Sequence, residues 1–159
     1  MNAPIRRAMV HVELQNASAA CPIPLEQIRR WAEAGVRRER AEIVIRVVDH
    51  EESAELNRYY RRKAGPTNVL SFPFEPPPGV PSDILGDLVI CEPVVAREAA
   101  EQGKSLEAHW AHMVVHGVLH LQGFDHVEES EALMMEAEEI ATLNRLGFSD
   151  PYEQEAVLP

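Results

Sequence analysis

The sequence predicts an α+β protein, a single small mixed sheet of about four strands with helices packed on it and a histidine cluster at the end of a long helix. Three observations lead there. Strand-like and helix-like segments alternate over the first 91 residues, three helix-like segments then follow in succession, and the 159 residues are 45% apolar and 26% charged with few aromatics. Strands mixed with helices and followed by a run of helices suit a sheet covered by helices. The composition is that of an ordinary globular protein, and the length suffices for one core, so residues 1–159 are expected to form a single domain.

Each element has its own signal. MVHVEL (9–14) alternates apolar and polar positions as a half-buried strand does, and Pro22 and Pro24 mark the turn after it. A short helix is expected from Leu25 to Ala34, stopped by Gly35. EIVIRVVD (42–49) is rich in β-branched residues and reads as a central strand. Asp49 stands three residues before Glu52, the spacing of a capping box, which predicts a helix running through Lys63. AGPTN (64–68) is turn chemistry, and VLSFPF (69–74) is a strand that Pro73 confines to an edge or an end. EPPPGVPSD (75–83) is too proline-rich for helix or central strand, and GDLVIC (86–91) is strand-like again. PVVAREAAEQ up to Gly103, SLEAHWAHMVVHGVLHLQ up to Gly123 and ESEALMMEAEEIATLNRL up to Gly147 then read as three helices. No internal repeat interrupts this order.

Composition narrows the function classes. No apolar run approaches the length of a membrane span, and the opening MNAPIRRAMVHVEL is too interrupted for a secretory signal, so the expected location is the cytoplasm and no membrane is expected as a partner. Cys21 and Cys91 have no cysteine or histidine neighbour at ligand spacing and are expected as reduced thiols, Cys91 buried in a strand. A net charge of −11 argues against a broad polyanion-binding surface. The charge is uneven, however. Residues 1–63 hold 12 Lys and Arg against 9 Asp and Glu, and residues 64–159 hold 3 against 17, which leaves room for a local basic patch.

The stretch HGVLHLQGFDH (116–126) carries the chemistry. His116 and His120, four apart on a helix, lie on one face about 6 Å apart along the axis. Gly123 stops the helix, and QGFDH can return His126 to the same point. Three imidazoles and an open fourth position are the pattern of a catalytic zinc site, although a histidine pair at this spacing also occurs in plain packing. His112 extends the stripe past the reach of one ion and is expected in the core or behind the ligands, with His109 facing solvent. The residue after the first histidine, the general base in HExxH, is Gly117 here, so peptide hydrolysis loses its base. Asp125 is the nearest carboxylate, either a base or a group that caps the turn or orients a histidine.

HGVLHLQGFDH resembles the signature of the YbeY family of metal-dependent endoribonucleases. LNRYYRRKAGPTNVLSFPFE (56–75) and LGDLVIC (85–91) resemble that family's other blocks, and the likeness continues in order to LGFSDPY (146–152), while the first 40 residues add little. Ala64 and Gly65 depart from the more polar residues expected after the lysine. The resemblance implies that His116, His120 and His126 bind one metal ion, usually zinc, and that Arg61 lines the cleft and is required for RNA processing. Lys63 belongs to the same basic cluster, and Asn68 and Ser71 could donate hydrogen bonds to substrate, with turn stabilisation explaining them equally well.

The expected function is therefore a single-strand-specific, metal-dependent endoribonuclease of ribosomal RNA maturation, acting at the small-subunit rRNA 3′ end and in ribosome quality control. Single-stranded and ribosomal RNA are its expected partners, with ribosomal proteins or ribosome-associated factors beside them. Two alternatives stay open at this point. One is a metallohydrolase of another bond. The other is a ribosome-assembly binding protein with a structural metal, docking through the acidic last helix, which can equally be a solvated face.

Overall fold

A computed structural model describes residues 9–153; residues 1–8, part of the opening stretch read for a signal, and 154–159 lie outside it. The order is β1 (Met9–Asn16), α1 (Leu25–Gly35), β2 (Arg40–Val48), α2 (His50–Arg61), β3 (Val69–Pro73), β4 (Ile84–Cys91), α3 (Glu92–Glu101), α4 (Leu106–Leu121) and α5 (Glu129–Arg145). The four strands form one mixed sheet, as the sequence predicts, and their order is β1-β2-β4-β3. β1, β2 and β4 are parallel, and β3 pairs antiparallel with β4 at the edge, ending at Pro73. A proline that cannot donate to a ladder is tolerated there.

The larger core lies between one face of the sheet and α1, α4 and α5, with Ile43, Ile45, Leu88, Trp110, Val114 and Leu119 at its centre. The other face holds a smaller core of Val48, Leu70, Val89, Cys91 and Val94, against which Leu56 of α2 and Phe72 pack. Alternation along β3 assigns its side chains accordingly: Val69 and Ser71 share the α4 face, and Leu70 and Phe72 point to the α2 side. Cys91 is buried at the end of β4 and both thiols are free.

Two details differ from the expected elements. Asp49 occupies the N-cap position of α2 but makes no side-chain cap. Its Oδ1 accepts from Ser18 Oγ at 2.9 Å, and Glu52 is held by the Arg46 guanidinium, with Nη2 to Oε1 at 2.9 Å, so tertiary partners take both halves of the expected capping box. The same helix stops at Arg61 because Arg62 turns left-handed at φ 55°, which leaves Lys63 in the following loop. The loop then runs back along α2, tied by Asn57 Nδ2 to the Gly65 carbonyl at 2.8 Å and by Ser53 Oγ to the Thr67 carbonyl at 3.1 Å.

Helix α4 positions the site. Ser105 caps it, its Oγ accepting from Ala108 N at 3.1 Å, and from His109 to Leu121 every residue is buried except His116 and His120. A helix apolar on nearly all sides sits inside a fold, so these two half-buried histidines mark the only places where that stretch reaches the surface. Gly117 rests on the sheet. A Cβ there would meet Leu88 Cδ2 at 2.8 Å and Val69 Cγ2 at 3.3 Å. The glutamate of an HExxH motif would therefore be driven into the core.

Candidate metal centre

The backbone closes the helix where the histidines need it closed. Gly123 takes φ 96°, and the amides of Gln122 and Phe124 bond to the Leu119 carbonyl at 3.0 and 3.3 Å. Asp125 Oδ1 then accepts from the His126 amide at 2.7 Å and fixes the turn that presents the third ring. The ring centres of His116 and His120 are 6.2 Å apart, and His126 stands 5.8 Å from each. Rings sharing one tetrahedral ion at about 2.0–2.1 Å per nitrogen have centres roughly 5 Å apart. The triangle is wider by about 1 Å, a gap that small rotations of the imidazoles close. The donor set is chemically suited to a borderline-soft divalent ion, and His126 lies exposed on the open side.

Ligand atoms also gather in two neighbouring sets that share no residue. His120, Asp125 and His126 bring one donor each within 4.8 Å of one another, and so do His112, His116 and Glu139. His116 joins the two groups, by its ring to the triangle and by its Nδ1 to Glu139. That nitrogen lies 2.8 Å from Glu139 Oε1, while Oε2 of the same carboxylate meets His112 Nε2 at 2.5 Å and accepts from the Tyr152 hydroxyl at 2.6 Å. Glu139 is 1% exposed. Burial pushes its carboxyl up, but the hydrogen bonds from His112 and His116, with their charge, outweigh this and hold it at about 2. Burial and the neighbouring carboxylate together push the Tyr152 phenol up, so it stays a donor.

His112 is buried, in keeping with its expected place behind the ligands, but His109 corrects an expectation. Instead of facing solvent it is 2% exposed, with Nε2 3.0 Å from Glu98 Oε1. Burial lowers its pKa and Glu98 pulls the other way. Asn68 belongs to the same network. Its Nδ2 donates to both Glu98 oxygens at 3.1 and 3.3 Å, and its Oδ1 accepts from the Val69 amide at 2.7 Å, so the side chain is occupied within the fold. Ser71 is half-buried on the α4 face of the edge strand. Arg61 and Lys63 are exposed, and among the described residues neither side chain has an ion pair or hydrogen bond, nor do those of Arg58 and Arg62. Among the described residues no hydrogen bond, ion pair or ring contact joins this basic group to the histidines. They share the β3 edge: Tyr60, beside Arg61, packs its ring 5.0 Å from Phe72, the neighbour of Ser71.

Glu139 and Tyr152 escaped the reading of the sequence. A signal for the first was present, because Met135, Glu139, Thr142 and Leu143 fall at the spacing of one helix face and all four are buried. A glutamate inside that stripe needs partners, and the histidines of α4 supply them.

The family model described as endoribonuclease YbeY matches residues 13–147. The chain belongs to the YbeY family. The match reaches well into the first 40 residues, where motif reading found little. Among YbeY relatives, a Methylococcus capsulatus protein named endoribonuclease YbeY is 62% identical over 146 residues, covering 92% of this chain and 97% of the relative. One of the same name from Coxiella burnetii is 49% identical over 152 residues, covering 92% of this chain and all of the other. A solution structure from Thermotoga maritima aligns with a TM-score of 0.57 at 23% identity over 91% of this chain and 99% of that one, a likeness of fold.

Proposed function

We propose that this protein is a metal-dependent endoribonuclease that cleaves single-stranded RNA in ribosomal RNA maturation, at the small-subunit 3′ end and in ribosome quality control, and that zinc bound by His116, His120 and His126 is its cofactor. The observation that carries the reading is the triangle of imidazoles, 5.8–6.2 Å between ring centres, on a chain of this family. When bound, a divalent ion supplies a Lewis acid for phosphoryl oxygens and lowers the pKa of a coordinated water toward about 7.

The chain's own residues do the rest. Arg61 grips a non-bridging phosphate oxygen pair through its fork of donors and offsets charge that builds up during in-line attack. Lys63 adds a point charge beside it, and Ser71 offers a hydroxyl from the edge strand. Asn68 serves by holding the start of β3. Asp125 Oδ1, already accepting from the His126 amide, also lies 4.0 Å from His126 Nδ1, and this carboxylate is the nearest base, or else the group that orients His126. No helix among the described residues is long and apolar enough to cross a membrane, which is compatible with a cytoplasmic role beside ribosomal factors.

The test is cleavage of single-stranded and duplex RNA by metal-assayed protein with and without chelator, beside His116→Ala. Chelator-sensitive cleavage of the single strand alone, lost in the variant, is the expected result. Equal cleavage by both preparations means a contaminating nuclease and sinks the reading. A second reading, docking of α5 onto a basic ribosomal protein, draws support from Leu133 and Met134, which stand 63% and 64% exposed among its acidic residues. It predicts that charge reversal on α5, and not His116→Ala, abolishes processing.

A further inference from the structure

We propose that Glu139 is the positioning residue of the metal centre: by bridging His112 and His116 it fixes His116 in the Nδ1–H tautomer, so that His116 ligates through Nε2 while His112 is withheld from the metal. This rests on the three-histidine reading of the site and specifies how one ligand is set.

The argument starts from the carboxylate. An ionised glutamate accepts hydrogen bonds and donates none, so each atom aimed at it must carry a proton. Oε1 faces His116 Nδ1 at 2.8 Å, and Oε2 faces His112 Nε2 at 2.5 Å and the Tyr152 hydroxyl at 2.6 Å. Both ring nitrogens are therefore N–H donors. In neutral His116 the lone pair is left on Nε2, which is the ligand atom. In neutral His112 the lone pair is left on Nδ1, which is buried and meets no polar partner. This accounts for the break in the stripe 112, 116, 120: spacing alone would admit His112, but its proton arrangement does not.

An ion held directly between His112, His116 and Glu139 fits the distances less well. Donors of one tetrahedral ion at about 2.0–2.1 Å stand roughly 3.3 Å apart, whereas these pairs meet at 2.5 and 2.8 Å, the separations of charge-assisted hydrogen bonds. The carboxylate is also well anchored. It sits on the buried face of α5 with Met135 and Leu143, and Tyr152 reaches it from the segment after that helix. A carboxylate behind a ligating histidine orients the ring and raises its basicity, and losing one typically costs 10–100-fold in metal affinity.

Two measurements test this on the full chain. The first is the long-range ¹H–¹⁵N spectrum of the histidine rings in metal-free protein at pH 8. His116 is expected as the Nδ1–H tautomer and His112 as Nε2–H; an Nε2–H His116 overturns the proposal whatever the variants do. The second is cobalt(II) affinity by chelator competition, with the visible spectrum, in wild type, Glu139→Gln, Tyr152→Phe and His120→Ala. Glutamine keeps the shape but offers one acceptor and one donor, so one ring must change tautomer, and affinity is expected to fall about 10–100-fold with an altered spectrum. Tyr152→Phe, which leaves the carboxylate in place, is expected to lose only a few fold and keeps the question answerable if Glu139→Gln folds poorly. Native-like melting of Glu139→Gln with wild-type affinity and tautomers overturns the proposal. His120→Ala separates the two ideas: if it binds cobalt as tightly as wild type, the triangle is not the site and the underlying reading fails, while the tautomers still decide what Glu139 does.

Discussion

Arg37 and Arg46 are spent on Glu138 and Glu52, whereas Arg58, Arg61, Arg62 and Lys63 hold nothing inside the fold. A guanidinium left unpaired at an exposed helix end suits a bidentate phosphate contact, which a lysine cannot reproduce. Arg61→Lys should therefore lose about 10–100-fold in cleavage, the worth of a charged hydrogen bond of roughly 1.5–3 kcal/mol, with an unchanged melting temperature. Full activity in a single-turnover assay would remove the fork from the mechanism. His109 makes a prediction of a different kind. Its folded pKa lies below the ordinary 6.5 because burial outweighs Glu98, with Lys104 and His112 adding to the depression. The unfolded chain then takes up the proton first, so the stability is present above about pH 6.5 and is lost as pH falls below it. Metal-free wild type should lose melting temperature more steeply than His109→Gln between about pH 7.5 and 5.5; parallel curves would refute it. At this scale the clustering of the three histidines was legible because their spacing is local in sequence. Glu139 and Glu98 were not, because their histidine partners stand 23 and 11 residues away in the sequence.

Helix α4 shows how one element can be read from sequence and still keep part of its role hidden. Its stop at Gly123 and its paired histidines follow from residues within a turn of each other. That Gly117 exists to let the helix lie on Leu88 and Val69 depends on the sheet and could not be seen beforehand. The start of α2 fails in the opposite direction, since Asp49 and Glu52 have capping-box spacing yet are claimed by Ser18 and Arg46 from other elements. Gly123 itself meets no atom within 4 Å of a built Cβ, so only its positive φ matters. Gly123→Ala should cost about 1–2 kcal/mol from the left-handed backbone alone, measurable by denaturant unfolding. Because the same turn delivers His126, cobalt affinity should fall with it. A loss of stability with unchanged affinity would show that His126 is held by Asp125 without help from the turn.

The whole molecule combines a net charge of −11 with a group of unpaired cations at the end of α2, while 17 of its acidic residues lie after residue 63. The mixed four-stranded sheet, the placing of β3 at an edge or an end and the helical second half were legible, because periodicity and proline placement reflect which surfaces must be buried; the strand order was not, since it depends on pairings distant in sequence. Where charge gathers on the surface was legible only in part, since charge adds up in space and the sequence lists it along a line. An RNA strand approaching the β3 edge meets Arg58, Arg61, Arg62 and Lys63 and beyond them a surface that repels phosphate. At most about four phosphates can then be neutralised, and with a slope near −0.7 per phosphate for single strands, log K against log salt should fall no more steeply than about −3. Fluorescence anisotropy with a catalytically silent His116→Ala protein measures it. A slope beyond about −5 would require a second basic track and would place the RNA on a surface other than this edge. A shallow slope that vanishes in a variant of the four cations would tie the acidic fold to a short, focused contact, in which the low affinity of each encounter is offset by metal chemistry at a few angstroms.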